Sequence, residues 1–290
     1  MIGSMLLSGG IAVFLLGLRF ISENVERAAG ERFRRLVSRA TKSPAGAALA
    51  GVGTTALAQS SVAIDMAVVS LADGGVISFL GACAVVVGAN IGTTVTAQLV
   101  SFSFSSFNVT AFGSLSCIFG FIFSAVKGGK YRAAGDIAVG FGLIFIGINV
   151  MTDAVVLFYG KRWFEALFSI ESAPIMLLNG FFITAICQSS SVVSSILVIL
   201  AADGKITFGS AVFLILGANV GSTIAVVNAT VKRGGTALRV ALFNMIFNAA
   251  GALLFIVADL VSRGAVVRLF SSDTDAHRAV ANFHTFFQIF

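Results

Sequence analysis

Charged side chains are scarce in this sequence. Asp, Glu, Lys and Arg together make up 11% of its 290 residues, whereas a soluble domain carries about 25%. Hydrophobic residues make up 57% of the chain, and the mean hydropathy is +0.99. The composition therefore predicts an integral membrane protein in contact with the lipid bilayer. The net charge of +6 is expected to reflect membrane topology, and nucleic-acid binding is not expected.

Cysteine, histidine and proline are rarer still, with three, two and two residues. Cys83, Cys117 and Cys187 lie apart in apolar segments and lack the Cys-x-x-Cys spacing of zinc and redox sites, so we expect small core side chains. His277 and His284 are too few for a metal site, and we expect them to pack at the membrane interface. The sequence offers no Ser-His-Asp arrangement and no carboxylate pair, so neither an enzyme nor an organic cofactor is expected.

A polar signature occurs twice in this apolar background. Gln-Ser-Ser at 59–61 recurs at 188–190, and each triplet is followed by a Gly-Ala-Asn-x-Gly-[Thr/Ser]-Thr block, at 88–94 and at 217–223. Small and hydroxylated residues are also common where membrane helices pack closely. Their occurrence in duplicate, at the same internal spacing, favours a functional role and is typical of transporters that are built from repeats.

The segments around the triplets predict two hairpins. Residues 45–72 and 174–202 each begin at one of the two prolines of the chain, are interrupted by Gln-Ser-Ser, and end at Ala-Asp-Gly. Each arm is too short for a full crossing, which needs about 20 residues. We therefore predict two re-entrant helical hairpins with the triplets at their tips. The glycines of the Gly-Ala-Asn blocks predict two further helices that are interrupted within the membrane.

The fold class that follows is an all-α membrane protein with inverted-topology repeats. Each copy contributes three crossings, so the second copy enters the membrane in the opposite orientation. We predict that residues 1–132 form the first inverted repeat and residues 133–258 the second. Residues 259–290 are predicted to be a terminal amphipathic segment that ends before a further helix.

Basic residues indicate the orientation. Most Lys and Arg residues lie in the segments 23–43, 127–132 and 232–239, and cytoplasmic loops are the ones enriched in positive charge. This distribution predicts a multi-pass protein of the inner (plasma) membrane with its N-terminus outside. The two hairpins would then enter from opposite faces, and their tips would meet near the midplane.

The tips are suited to an oxyanion. Each offers an amide, two hydroxyls and the free N–H groups at the start of the second helical arm, which favour an anion such as phosphate. Arg19 is expected to extend toward the interface, although it could balance an anion. We assign phosphate binding to the two triplets, which comprise Gln59, Ser60, Ser61, Gln188, Ser189 and Ser190.

Oxygen ligands for a hard cation lie nearby. Amide and hydroxyl oxygens of the Gly-Ala-Asn blocks can ligate sodium without a carboxylate, and proton and lithium stay open as alternatives. Asp65, one turn after Ser61, is an intramembrane carboxylate that could bind a cation or take up a proton; a water-exposed structural role is the alternative. The predicted block ligands include Asn90, Thr94, Asn219 and Thr223.

The doubled motif resembles the sodium-dependent phosphate cotransporter family, the type II sodium–phosphate symporters and their bacterial relatives. The resemblance extends over residues 5–290 and implies two re-entrant hairpins and sodium-coupled uptake of inorganic phosphate. It adds Ser191 to the implied sodium ligands. The fuller motif of the family is Gln-Ser-Ser-Ser, and Val62 stands at the fourth position of the first copy, which leaves the number of sodium sites open.

We therefore expect a symporter of sodium and phosphate, with both ions held between the hairpin tips. A phosphate-binding membrane receptor or regulator is the alternative, and sulfate and dicarboxylates are alternative substrates. No arginine adjoins either triplet along the chain, which disfavours a dicarboxylate. The resemblance also implies a further C-terminal regulatory domain. A homodimer is a separate expectation.

Overall fold

The computed structural model describes residues 2–104, 109–125, 129–159, 161–168, 170, 172–271 and 275–290. The regular secondary structure of these described residues is helical. The first five are α1 Ile2–Ala40, α2 Pro44–Ala58, α3 Ser61–Asp73, α4 Phe79–Ser103 and α5 Val109–Ala125. The next six are α6 Gly129–Val156, α7 Arg162–Phe168, α8 Ala173–Cys187, α9 Ser190–Ala202, α10 Phe208–Thr230 and α11 Gly235–Val261. The last two are α12 Ala265–Ser271 and α13 Ala276–Ile289.

Five of the described helices are long and apolar enough to cross a membrane. They comprise residues 2–21 of α1, all of α4, residues 131–156 of α6, all of α10 and all of α11. Large apolar side chains such as Phe121 and Leu254 are exposed on α5 and α11, where lipid tails can cover them. The chain is therefore a multi-pass membrane protein, as its composition predicts.

Two pairs of short helices form where the hairpins are predicted. The pairs are α2 with α3 and α8 with α9, and the helices of each pair are separated only at the Gln-Ser-Ser triplet. A proline in the first turn starts α2 and α8, because the missing N–H of proline is not needed there. The re-entrant insertion of these pairs into a bilayer, and the inverted relation of the two halves, stay predictions.

The predicted interruption of the two Gly-Ala-Asn helices is wrong. Both α4 and α10 run without a break through their Gly-Ala-Asn blocks. The glycines serve close packing instead. A side chain at Gly88 would collide with the backbone carbonyl of Ala48 in α2, and one at Gly217 would collide with that of Leu177 in α8. The absence of a Cβ thus lets the first arm of each pair lie against a long helix.

The two halves are interlocked through α4. One buried apolar cluster is formed mainly by α2, α3, α4 and α11, and the other mainly by α6, α9, α10 and α13. Ala89 of α4 belongs to the first cluster, whereas Ala97 and Val100 belong to the second. In addition α4 packs directly against α9. This packing brings the two triplets to the same region of the molecule.

Candidate functional site

The two triplets lie at breaks with the same backbone geometry. Gln59 and Gln188 end α2 and α8, and each has a left-handed φ of 54°. Their N–H groups donate to the carbonyls of Thr55 and Thr184, both at 2.7 Å. A left-handed conformation is uncommon for a residue other than glycine. Its occurrence at both glutamines shows that the repeated sequence specifies a repeated local structure.

The serine after each glutamine caps the next helix. Ser60 Oγ accepts a hydrogen bond from the N–H of Ala63 at 3.3 Å, and Ser189 Oγ accepts one from the N–H of Val192 at 3.4 Å. Both serines have an extended backbone, as helix N-caps do. Because the oxygen is the acceptor in these contacts, each hydroxyl still has a proton to donate.

A single cavity of about 400 Å³ lies between the two breaks. Residues 58–62 line it from one side, residues 187–191 line it from the other, and α1 contributes Leu15, Leu18, Arg19 and Glu23. The size is within the usual range for small-ligand sites. All six residues predicted to bind phosphate therefore face one space, together with Ser191 from the predicted sodium set.

An arginine lies at this cavity although none adjoins the triplets in sequence. Arg19 Nε donates to Glu23 Oε1 at 2.6 Å, one turn along α1, and both side chains line the cavity. The triplets therefore have no arginine beside them in the sequence, but they do have one beside them in the folded protein. The reason is that α1 packs against α2, and sequence spacing gives no information on that contact. The objection to a dicarboxylate loses its basis.

Thr96 is a site residue that the sequence pattern misses. It lies on α4 and is buried. Its hydroxyl donates to Gln59 Oε1 at 2.8 Å and lies 3.5 Å from Ser191 Oγ, so it connects the two breaks. The residue at the corresponding position of the second half is Ala225. Because Thr96 is not duplicated, the search for repeated polar residues does not identify it.

Asp65 and Asn90 belong to a buried polar cluster that does not line the cavity. Asn244 Nδ2 donates to Asp65 Oδ2 at 2.8 Å, while Asn90 and Asn248 donate to Asn244 Oδ1 at 3.0 and 2.9 Å. Asp65 is 3% exposed, so the expected alternative of a water-exposed Asp65 is wrong. Asn244 and Asn248 lie on α11 outside the duplicated blocks, which is why the sequence pattern misses them.

The two predicted threonine ligands bond within their own helices. Thr94 Oγ1 donates to the carbonyl of Ile91 at 2.8 Å, and Thr223 Oγ1 donates to that of Val220 at 2.7 Å. Both are buried, and neither is among the residues that line the cavity. Their oxygens can still accept a further contact, but the structure does not bring them to the tips.

Asn219 is paired with the terminal helix. Its Oδ1 lies 3.3 Å from His284 Nε2 of α13. His284 is 0% exposed, so the expectation that it packs at the interface is wrong. It is held inside by α13, which packs against α4, α9 and α10.

The cysteines also differ from expectation at one position. Cys83 is buried and Cys117 is partly buried, but Cys187 is exposed and lines the cavity next to Gln188. Cys187 is therefore not a core side chain. It provides a chemical probe at the edge of the space that both triplets line.

Comparison with known sequences gives the family. The sequence model of the Na+/Pi-cotransporter family matches residues 13–153 and, separately, residues 147–272. The chain belongs to this family. The two matches correspond to the two halves that carry the duplicated motif. No solved structure matches the chain significantly.

Curated relatives come from several bacteria. YjbB of Escherichia coli, whose name describes it as a candidate inorganic phosphate export protein, is 29% identical over 255 residues, which are 86% of this chain and 46% of YjbB. The YjbB proteins of Shigella flexneri and Salmonella typhimurium match equally well. The chain thus spans about half the length of these relatives. YqeW of Bacillus subtilis is 27% identical over 281 residues, which are 96% of this chain and 89% of YqeW.

Proposed function

We propose that this protein transports inorganic phosphate across the membrane and binds the anion between its two Gln-Ser-Ser tips. The observation that carries the proposal is the single cavity that both triplets line. Membership of the Na+/Pi-cotransporter family supports phosphate as the substrate, and so does the name of the relative YjbB.

The donors around the cavity fit a tetrahedral oxyanion. The helices α3 and α9 begin at Ser61 and Ser190, and both of these residues line the cavity. Two helix N-termini therefore meet at one space, where their free N–H groups and positive dipole ends favour an anion. The hydroxyls of Ser60 and Ser189 add neutral donors. Such a site can release its ligand more easily than one with several fixed cations.

Charge balance supports a coupled cation. The ionic side chains that line the cavity are Arg19 and Glu23, which form an ion pair, so their charges sum to zero. Phosphate is a multiply charged anion, and moving it through a low-dielectric region requires neutralisation. We propose sodium as the neutralising ion, in agreement with the description of the family. Of the residues predicted to bind sodium, Ser191 lines the same cavity, and the buried cluster of Asp65 and Asn90 lies behind it.

We further propose that the two helix pairs are re-entrant hairpins of inverted repeats, inserted from opposite faces of the cytoplasmic membrane with the N-terminus outside. The identical geometry of the two tips supports a common origin for both halves. The basic segments around Arg39 and Arg233 support the orientation. The direction of net phosphate movement then follows the imposed gradients.

The test is phosphate flux in proteoliposomes that contain the purified protein. We expect labelled phosphate to move faster under a sodium gradient than under an equal potassium gradient, in the direction of the sodium gradient. Equal rates under both gradients would contradict sodium coupling. Phosphate binding without any flux would favour a receptor, and stronger competition by sulfate or succinate than by phosphate would assign another substrate.

A further inference from the structure

The buried cluster around Asp65 contains an incomplete set of contacts. Asp65 Oδ2 accepts one hydrogen bond, from Asn244, but its Oδ1 has no hydrogen-bond partner within the described residues. The ion pairs of the described residues involve other acids, Glu23 and Asp275. A buried carboxylate with one orphan oxygen and no cationic partner is costly. The cluster therefore requires a positive ligand when Asp65 is ionised.

The neighbouring amides are arranged to support such a ligand. Asn90 and Asn248 both donate their amide groups to Asn244 Oδ1, which directs the Asn244 amide group toward Asp65. These contacts use the nitrogens of Asn90 and Asn248 and leave their carbonyl oxygens as acceptors. A carboxylate oxygen and amide oxygens are the ligands that hard cations select. The cluster can thus supply a small, all-oxygen cation site.

The second half contains a related cluster that lacks the carboxylate. Asn219 corresponds to Asn90, and Ser194 stands where the first half has Asp65. Ser194 is 1% exposed, and its Oγ has no partner within the described residues. Its position behind the second tip is therefore equivalent, but it carries no charge.

The helices that complete the two clusters share a pattern. Residues 243–248 of α11 read Phe-Asn-Met-Ile-Phe-Asn, and residues 283–288 of α13 read Phe-His-Thr-Phe-Phe-Gln. His284 stands where α11 has Asn244. Its Nε2 lies 3.3 Å from Asn219 Oδ1, whereas Asn244 Oδ1 accepts a hydrogen bond from Asn90 Nδ2. A histidine side chain in place of an amide brings no anionic ligand. The second cluster therefore offers no compensation for the desolvation of a cation.

We infer that the cluster of Asp65, Asn90, Asn244 and Asn248 binds one sodium ion and that its counterpart around Ser194 and Asn219 binds none. The inference rests on the proposed function, because the ion is taken to be the coupling cation. Asp65 lies one helical turn behind Ser61, about 6 Å along α3, and Ser61 lines the phosphate cavity. At that distance the bound cation and phosphate attract each other, so each ion raises the affinity for the other.

The experiment uses the purified full chain in detergent and compares sodium with potassium at equal ionic strength. We expect sodium to raise the melting temperature without phosphate, with one sodium ion bound per chain, and to increase phosphate affinity by about tenfold. Asp65→Asn keeps the shape of the side chain and is expected to lose both effects while it still binds phosphate. Ser194→Ala is the matched control in the second half and is expected to keep both.

A second variant separates binding from folding. Asn90→Ala removes an amide ligand but no buried charge, and it is expected to weaken sodium binding without abolishing the sodium-dependent shift. A sodium response that survives in Asp65→Asn would overturn the inference, as would two sodium ions per chain or a response lost in Ser194→Ala. Sodium binding that depends on Asp65 in a protein without phosphate flux would leave this site intact and refute the proposed transport instead.

Discussion

The serines at the two tips have a structural role as helix caps and, in the proposed function, a second role in binding phosphate. Ser60 and Ser189 each cap a helix and each face the cavity. We predict that Ser60→Ala or Ser189→Ala lowers phosphate affinity at least about tenfold, because a hydrogen bond to a charged ligand contributes about 1.5–3 kcal/mol. The measurement is equilibrium binding of labelled phosphate to the purified variants.

Ser78 provides a matched control for this prediction. It caps α4 in the same way, since its Oγ accepts from the N–H of Gly81 at 3.1 Å, but it does not line the cavity. Loss of the cap costs about 1 kcal/mol of stability in each case. Ser78→Ala is therefore expected to lose stability like Ser60→Ala and to keep its phosphate affinity. Equal binding by the two variants would show that the tip serines act only as caps.

Individual residues also show which parts of the candidate site the sequence can and cannot identify. Duplication draws attention to the triplet residues, and the structure places both triplets at one cavity. Thr96 and Asn244 could not be predicted, because neither has an identical counterpart in the other half. The sequence left two positions open for Arg19, and the structure places it at the cavity. Their roles depend on which helices lie together, and that is a property of the folded chain.

At the scale of helices, the glycines of α4 and α10 have a packing role. Gly88→Ala would place a methyl group against the backbone of α2, and overpacking of this kind costs about 1–3 kcal/mol. We predict a lower melting temperature in detergent for Gly88→Ala. Gly53→Ala on α2 is the control, because a Cβ there meets nothing within 4 Å and alanine favours the helix by up to about 1 kcal/mol. Equal destabilisation by both variants would contradict close packing at Gly88.

The boundaries of the short helices were predictable, whereas the continuity of the long ones was not. A proline at one end, Ala-Asp-Gly at the other and a polar triplet between them are local signals, and they place α2, α3, α8 and α9 within a few residues. A glycine in an apolar helix can mark either a break in that helix or a close contact with a neighbouring helix. The choice depends on a neighbouring helix, so the interruption predicted from Gly88, Gly92, Gly217 and Gly221 was wrong.

At the scale of the whole molecule, the proposed inverted topology makes a prediction about sidedness. Asp73 at the end of the first pair is exposed, and so is Lys205 just after the second pair. In a background without native cysteines, we predict that Asp73→Cys reacts with an impermeant thiol reagent from the cytoplasmic side and that Lys205→Cys reacts from the outside. Reaction of both from the same side would contradict the inverted arrangement.

The central claim is that phosphate occupies the space between the two tips, and Cys187 tests it most directly. With Cys83 and Cys117 replaced by alanine, Cys187 is the only thiol of the chain, and it lines that space. We predict that phosphate slows the reaction of Cys187 with a thiol reagent, and that Ser60→Ala on the opposite tip raises the phosphate concentration needed for this protection at least about tenfold. Labelling rates that are the same with and without phosphate would contradict the account.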